Sequence, residues 1–235
     1  MLLSLISSGD ILGMLPYLIV SIPGFLLAIS VHESAHAYAA YKLGDPTARS
    51  LGRITLDPRK HIDPIGAVLW LIVGFGWAKP VPVQSRYFKK PKRDMNIVSL
   101  AGPLSNFTMA FVVLLIWGIF LIFRINILSY SVANPNFGQT ILELISYALS
   151  YFVTINVVLG VFNLLPIPPL DGSHLLLSVL PSNIVYAVHK YQLYIQLAFY
   201  AIVISGRSGG LVMTLTSWVY YGMSWIVTTI ISPFI

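Results

Sequence analysis

Five apolar stretches, each long enough to cross a bilayer, constrain this chain more than any other feature of its sequence. They cover residues 11–41, 97–122, 141–165, 185–204 and 211–231. About 20 helical residues span the ~30 Å of hydrocarbon. Helices satisfy their own backbone there, whereas open strands do not. The composition agrees: 57% of the 235 residues are hydrophobic and 9% charged, against about 25% charged in soluble domains. The expected fold is therefore an all-α polytopic membrane protein with about five transmembrane helices. Asp10 can cap the first helix, and Pro23 with Gly24 can bend it. A sixth run, 65–77, is too short to span and holds Gly66, Gly74 and Gly76 between Pro64 and Pro80, so a re-entrant segment is expected. With no repeat, low-complexity tract or appended soluble domain, residues 1–235 read as one membrane-embedded unit. Its core covers about 11–180, and two C-terminal helices cover about 185–231. The opening MLLSLISSGD lacks a basic n-region and a cleavage site, so a removable signal peptide is not expected.

Charge placement gives the orientation. Of the 14 lysines and arginines, eleven lie between Lys42 and Arg93. The positive-inside rule assigns that loop to the cytoplasm of a multi-pass cell-membrane protein. Its natural partner is the anionic surface of the lipid bilayer, and no nucleic-acid role is expected despite the net charge of +6. The chain has no cysteine, which excludes disulfides and thiolate metal ligands.

Against this apolar background, SVHESAHAYAAYKLG is anomalous. His32, Glu33 and His36 form HExxH on the first helix. Residues four apart differ by about 40° around a helix, so both imidazoles point the same way. That suits two of the three protein ligands of a catalytic zinc, with Glu33 positioned to take a proton from water. In a chain of this composition the motif arises by chance with a frequency of about one in a thousand. Two buried histidines stapling helices together are the plainer reading. Each ionisable group at membrane depth costs on the order of 2.5–3.5 kcal/mol, however, and a shared cation offsets that cost. His32 and His36 lie about 9–15 Å below the interface marked by Lys42.

A third ligand is needed. Asp171, in NLLPIPPLDGSHLL, sits where the third helix returns to the same side. Pro166, Pro168 and Pro169 break the helix, and Gly172 allows a tight turn. Irregular backbone at that depth belongs where it lines a cavity. Alone, Asp171 would read as a helix cap; beside HExxH it reads as a ligand, with His174 as the competitor. His61 and His189 read as interfacial histidines.

Together these motifs resemble the site-2 protease family of intramembrane zinc metalloproteases. The second pattern, Asn163-Leu-Leu-Pro166-Ile-Pro168-Pro169-Leu170-Asp171-Gly172, fits NxxPxPxLDG position by position. The likeness extends to KLGDPTARSLGRITLDPRKHIDPIG, GFGWAKPVPV and AGPLSNF, in a compact prokaryotic type without PDZ or CBS domains. The resemblance implies hydrolysis of peptide bonds within or near transmembrane segments of membrane-protein substrates. One Zn²⁺ per chain would be held by His32, His36 and Asp171, and water activated by the zinc would attack the carbonyl with Glu33 as general base. The active site would open toward the cytoplasm. Asn163 resembles the family asparagine that helps bind the reacting peptide; Asn106 is a weaker candidate for the same role. Both could equally make interhelical hydrogen bonds.

Two readings from other classes compete. In a metal transporter, intramembrane His and Asp form an ion path, but further ligands along several helices would be expected. An inactive, substrate-holding relative could lose Glu33 or a ligand, whereas this chain keeps them all. Residues 48–58, ARSLGRITLDP, alternate and carry turn signals, so a strand or short hairpin is expected there. Its edge could hold an unwound substrate by β-addition. The last two helices carry little that could do chemistry and read as structural. Substrate identity and oligomeric state are not legible in the sequence.

Overall fold

The computed structural model describes residues 11–73, 76–128, 137–205 and 209–234. Three long helices form its centre: α1 (Ile11–Lys42), α4 (Pro91–Leu128) and α5 (Phe137–Asn163). Between α1 and α4 lie the one-turn α2 (Thr47–Ser50) and the ten-residue α3 (Pro64–Val73). After α5 come α6 (Gly172–Val179), α7 (Ser182–Lys190), α8 (Gln192–Ile204) and α9 (Gly209–Ile231). Asp10, the opening ten residues and most of the Gly206–Gly210 turn lie outside the described residues, as do Gly74 and Phe75 of the short apolar run.

Three helices are long and apolar enough to cross a membrane, over Leu18–Lys42, Pro91–Ile122 and Gln139–Asn163. α8 and α9 meet the same test as one bent pair, so the described residues hold three such spans, or four with that pair. Residues 185–204, expected to be one span, are two helices that break at Tyr191. The reason is compositional: His189, Lys190 and Gln192 interrupt the apolar run with polar side chains. The 13 residues of α8 then reach only about 20 Å.

The long helices are held by small residues and apolar clusters. A Cβ on Gly160 would come within 2.5 Å of the Phe107 ring, so α5 approaches α4 as closely as glycine permits. Ala110, Leu114, Val153, Val157 and Val161 form a core that Val227 of α9 joins. Nearer the α1 side, Phe25 stacks on Trp70 at 3.9 Å between ring centroids, which fixes α3 against α1. At about 15 Å, α3 is too short to cross a bilayer, as its sequence suggested.

The stretch 48–58 differs from expectation. No strand occurs among the described residues; the nearest feature is a single antiparallel bridge between Ile62 and Ala78. Asp45 accepts from the Thr47 backbone N–H at 2.9 Å and starts α2, and Gly52, at φ +65°, ends it. Bends follow. The alternation that suggested a strand is real but inverted. Arg53 is buried, and Thr55 and Asp57 are half-buried, while Ile54 and Leu56 face outward. Polar anchoring to neighbouring segments takes the place of a ladder. His61, expected at an interface, is fully buried, with its Nε2 2.8 Å from the Thr55 carbonyl.

Candidate metal centre and active site

Helical spacing brings His32 and His36 together as their sequence positions require. Their Nε2 atoms lie 3.0 Å apart. Each ring is fixed from behind. The Nδ1 of His36 is 2.7 Å from the carbonyl of Val98 on α4, and the Nδ1 of His32 is 2.6 Å from Asn106 Oδ1. A carbonyl can only accept, so His36 donates through Nδ1 and presents its Nε2 lone pair forward. Both histidines are buried.

The third arm comes from the turn after α5. Asp171 stands at the N-cap position of α6, yet its side chain accepts no cap bond. Its Oδ2 instead lies 3.1 Å from both Nε2 atoms. Gly172 makes this turn possible, because a Cβ there would overlap the Leu164 carbonyl at the end of α5. Three ligand atoms thus form a nearly equilateral triangle of 3.0–3.1 Å. A tetrahedral zinc with arms of 2.0–2.1 Å needs ligand separations of about 3.3 Å, so the donor set fits. Lone pairs that converge with no shared donor repel one another, and a cation is what makes such a triangle favourable.

α4 supports the site along one stripe. Met95, Val98 and Ser99 line the cavity, Asn106 stands behind His32, and Ala110 enters the core. Between them, Gly102 lies directly beneath the imidazoles. A Cβ there would overlap His36 Nε2 and come within 2.6 Å of His32 Cε1. In front of the triangle is a cavity of about 520 Å³. Glu33, His174 and Asn163 share its lining with the three ligand atoms' residues. Glu33 is 9% exposed, enough for a water in the cavity to reach it.

Comparison with known proteins places the chain. Over 177 residues it is 42% identical to "Putative zinc metalloprotease YwhC" of Bacillus subtilis (strain 168), covering 74% of this chain and 73% of that protein. The chain belongs to peptidase family M50. The profile of that family matches residues 123–203, which include Asp171 but not the HExxH helix. "Putative zinc metalloprotease Rip2" of Mycolicibacterium smegmatis (strain ATCC 700084 / mc(2)155) is 30% identical over 160 residues. That match covers 66% of this chain and 54% of Rip2, so the chain spans about half of that relative's length. The Rip2 protein of Mycobacterium tuberculosis (strain ATCC 25618 / H37Rv) is 29% identical over 157 residues, 64% of this chain and 53% of that protein. No solved structure matches.

Of the residues the sequence singled out in this M50 chain, His32, His36 and Asp171 converge and Glu33 adjoins them. Asn163 lines the cavity with its Nδ2 bonded to the Leu159 carbonyl at 3.0 Å. Asn106 does not line the cavity. It is fully buried, and its amide is engaged by His32, Ala28 and Asn156. His174 is at the cavity wall, outside the triangle. Sequence reasoning missed Asn156, Arg53 and the α8 aromatics. Phe199 and Tyr200 of α8 reach the cavity, and Tyr200 stacks on Trp77 at 5.8 Å. Arg53 is buried and donates to the carbonyls of Lys79 (2.6 Å) and Pro80 (3.1 Å). The signal for Gly102 and Asn106 was their i, i+4 spacing in AGPLSN, which puts both on one face.

Proposed function

We propose that the chain is an intramembrane zinc metalloprotease that hydrolyses peptide bonds within or near transmembrane segments of membrane proteins. The observation that carries this reading is the His32–His36–Asp171 triangle with Glu33 beside it, in a membrane-spanning chain of a peptidase family. The zinc-metalloprotease names of YwhC and Rip2 support the same metal. His32, His36 and Asp171 would hold one Zn²⁺, which when bound polarises a carbonyl and lowers the pKa of water. Glu33 takes the proton from the attacking water and passes it to the leaving amine. Asn163, in the same cavity, contributes to holding the reacting peptide. No second group of three metal-binding side chains occurs among the described residues, which favours catalysis over an ion path.

A substrate helix must unwind before hydrolysis, because its backbone is otherwise fully bonded. The β-addition reading moves to another segment. Ala78, Pro80, Val81 and Val83 line the cavity, and among the described residues no backbone–backbone hydrogen bond engages the N–H or C=O of Val81 or Val83. That free edge suits an extended peptide. The lysine- and arginine-rich residues 42–93 flank the site-bearing ends of α1 and α4, which supports an active site opening toward the cytoplasm.

The test is metal content and cleavage together. Wild type and Glu33→Gln are purified in detergent, zinc is quantified, and both are assayed on a membrane-helix substrate. About one zinc per chain in both is expected, with cleavage at least about 100-fold lower in the variant. Wild type that takes up no supplied zinc would sink the proposed site.

A further inference from the structure

Behind His32 lies a chain of buried amides that the proposed chemistry does not use. Asn106 of α4 and Asn156 of α5 are both fully buried. Asn106 Nδ2 donates to the Ala28 carbonyl of α1 at 3.2 Å and to Asn156 Oδ1 at 2.8 Å. Asn156 Nδ2 donates to the Phe152 carbonyl at 2.8 Å. Asn106 Oδ1 remains for His32 Nδ1, at 2.6 Å.

Two backbone carbonyls give this chain a direction. Phe152 can only accept, so Asn156 turns its NH₂ to Phe152 and its oxygen to Asn106. Ala28 can only accept, so Asn106 must present NH₂ to Ala28 and Asn156, and oxygen to His32. A flipped Asn106 would face oxygen against two acceptors and leave buried polar groups unmatched. With an acceptor facing Nδ1, His32 must carry its proton there and leave Nε2 as a lone pair. His36 receives the same instruction from the Val98 backbone. Thus one ligand is set by main chain and the other by two side chains.

We propose that Asn106 and Asn156 form a directional relay that holds His32 in its metal-binding tautomer, and that they are positioning residues setting the zinc affinity of the site. This rests on the zinc reading above. Partners behind a metal-bound histidine are worth about 10–100-fold in affinity or activity.

The plainer alternative is a brace between helices α1, α4 and α5, and zinc affinity separates the two. Zinc dissociation constants are measured by chelator competition on the full chain in detergent, with helicity and apo-protein melting recorded for each variant. Asn106→Leu is expected to weaken zinc by about 10–100-fold. Asn156→Leu, one bond further away, is expected to weaken it by about three- to tenfold. Asn156→Asp keeps an acceptor facing Asn106, so it should stay within about threefold of wild type, although it buries a charge. A brace predicts the reverse order at position 156, with Asp at least as damaging as Leu. If Asn106→Leu does not fold, the two substitutions at 156 carry the test. Equal zinc affinity in wild type and both Leu variants, or Asp worse than Leu at 156, overturns the relay alone. Failure of wild type to bind zinc overturns the relay and the metal reading together.

Discussion

The three-helix centre and the C-terminal helices are both apolar, but they treat polar groups in opposite ways. In the centre, His32, Glu33, His36, Asn106 and Asn156 are buried, and the histidines and asparagines are matched to specific partners. In α7 no residue is buried; in α8 only Phe199 is, and in α9 Val212, Thr216 and Val227. Tyr194, Trp218, Tyr221 and Trp225 face outward, as lipid-facing and interfacial aromatics do. The difference teaches that hydrophobicity places the chain in a membrane, whereas polar matching within it locates the chemistry. The C-terminal contribution is to a wall: Phe199 and Tyr200 line one side of the cavity.

Gly102→Ala should do the most damage. One methyl group would occupy the space of His36 Nε2, so zinc affinity should fall by more than about 100-fold, comparable to losing a ligand. Retained zinc at full stoichiometry would show that α4 can retreat from the site. Arg53→Met comes next. It removes two charge-assisted hydrogen bonds to the Lys79 and Pro80 carbonyls, so kcat/KM should fall about tenfold, mainly through KM, with zinc unchanged. A loss of zinc instead would tie Arg53 to the metal centre rather than to the cavity wall. Phe199→Ala should change cleavage by less than about tenfold and leave zinc intact. Zinc loss in that variant would break the division between centre and wall. Asp57→Asn is the smallest. A hydrogen bond donated by Arg59 holds the half-buried Asp57 carboxyl below its ordinary value. A depressed carboxylate adds stability above its unfolded pKa and loses it only as pH falls through the folded one. Between pH 5 and 8 this variant should therefore melt slightly below wild type, by a margin that does not change with pH and that closes as pH falls below the carboxylate range; a large or pH-dependent gap between pH 5 and 8 would show a role beyond a solvent-screened ion pair.

Much of the centre was legible in the sequence because its signals are local. HExxH puts two imidazoles on one helix face by periodicity alone, and the proline-broken LDG turn marks an acid that returns to the same side. The membrane class followed from length and charge. The legible part stopped where partners come from distant segments. Asn106 could be placed on the face of α4 that holds Gly102, but its orientation depends on Ala28, 78 residues away, and on Asn156, 50 residues away. The 48–58 stretch misled because alternation reports which residues face inward, not what they bond to. Arg53 and Thr55 face inward to carbonyls and hydroxyls; Ser34, inside HESAH itself, bonds the Thr55 backbone. Residues 185–204 misled because a hydrophobic average conceals a polar interruption at Lys190 and Gln192.

The α4 stripe from Met95 to Ala110 serves cavity, ligands and core at once. A slight turn of that helix about its axis would withdraw the Val98 carbonyl from His36, swing Asn106 off His32 and unseat Ala110 together. The geometry of the candidate metal site and the packing of the bundle are thereby tied to one rigid element. A movement of α4 as a whole strips site and core together, whereas a change behind one histidine loosens that histidine alone.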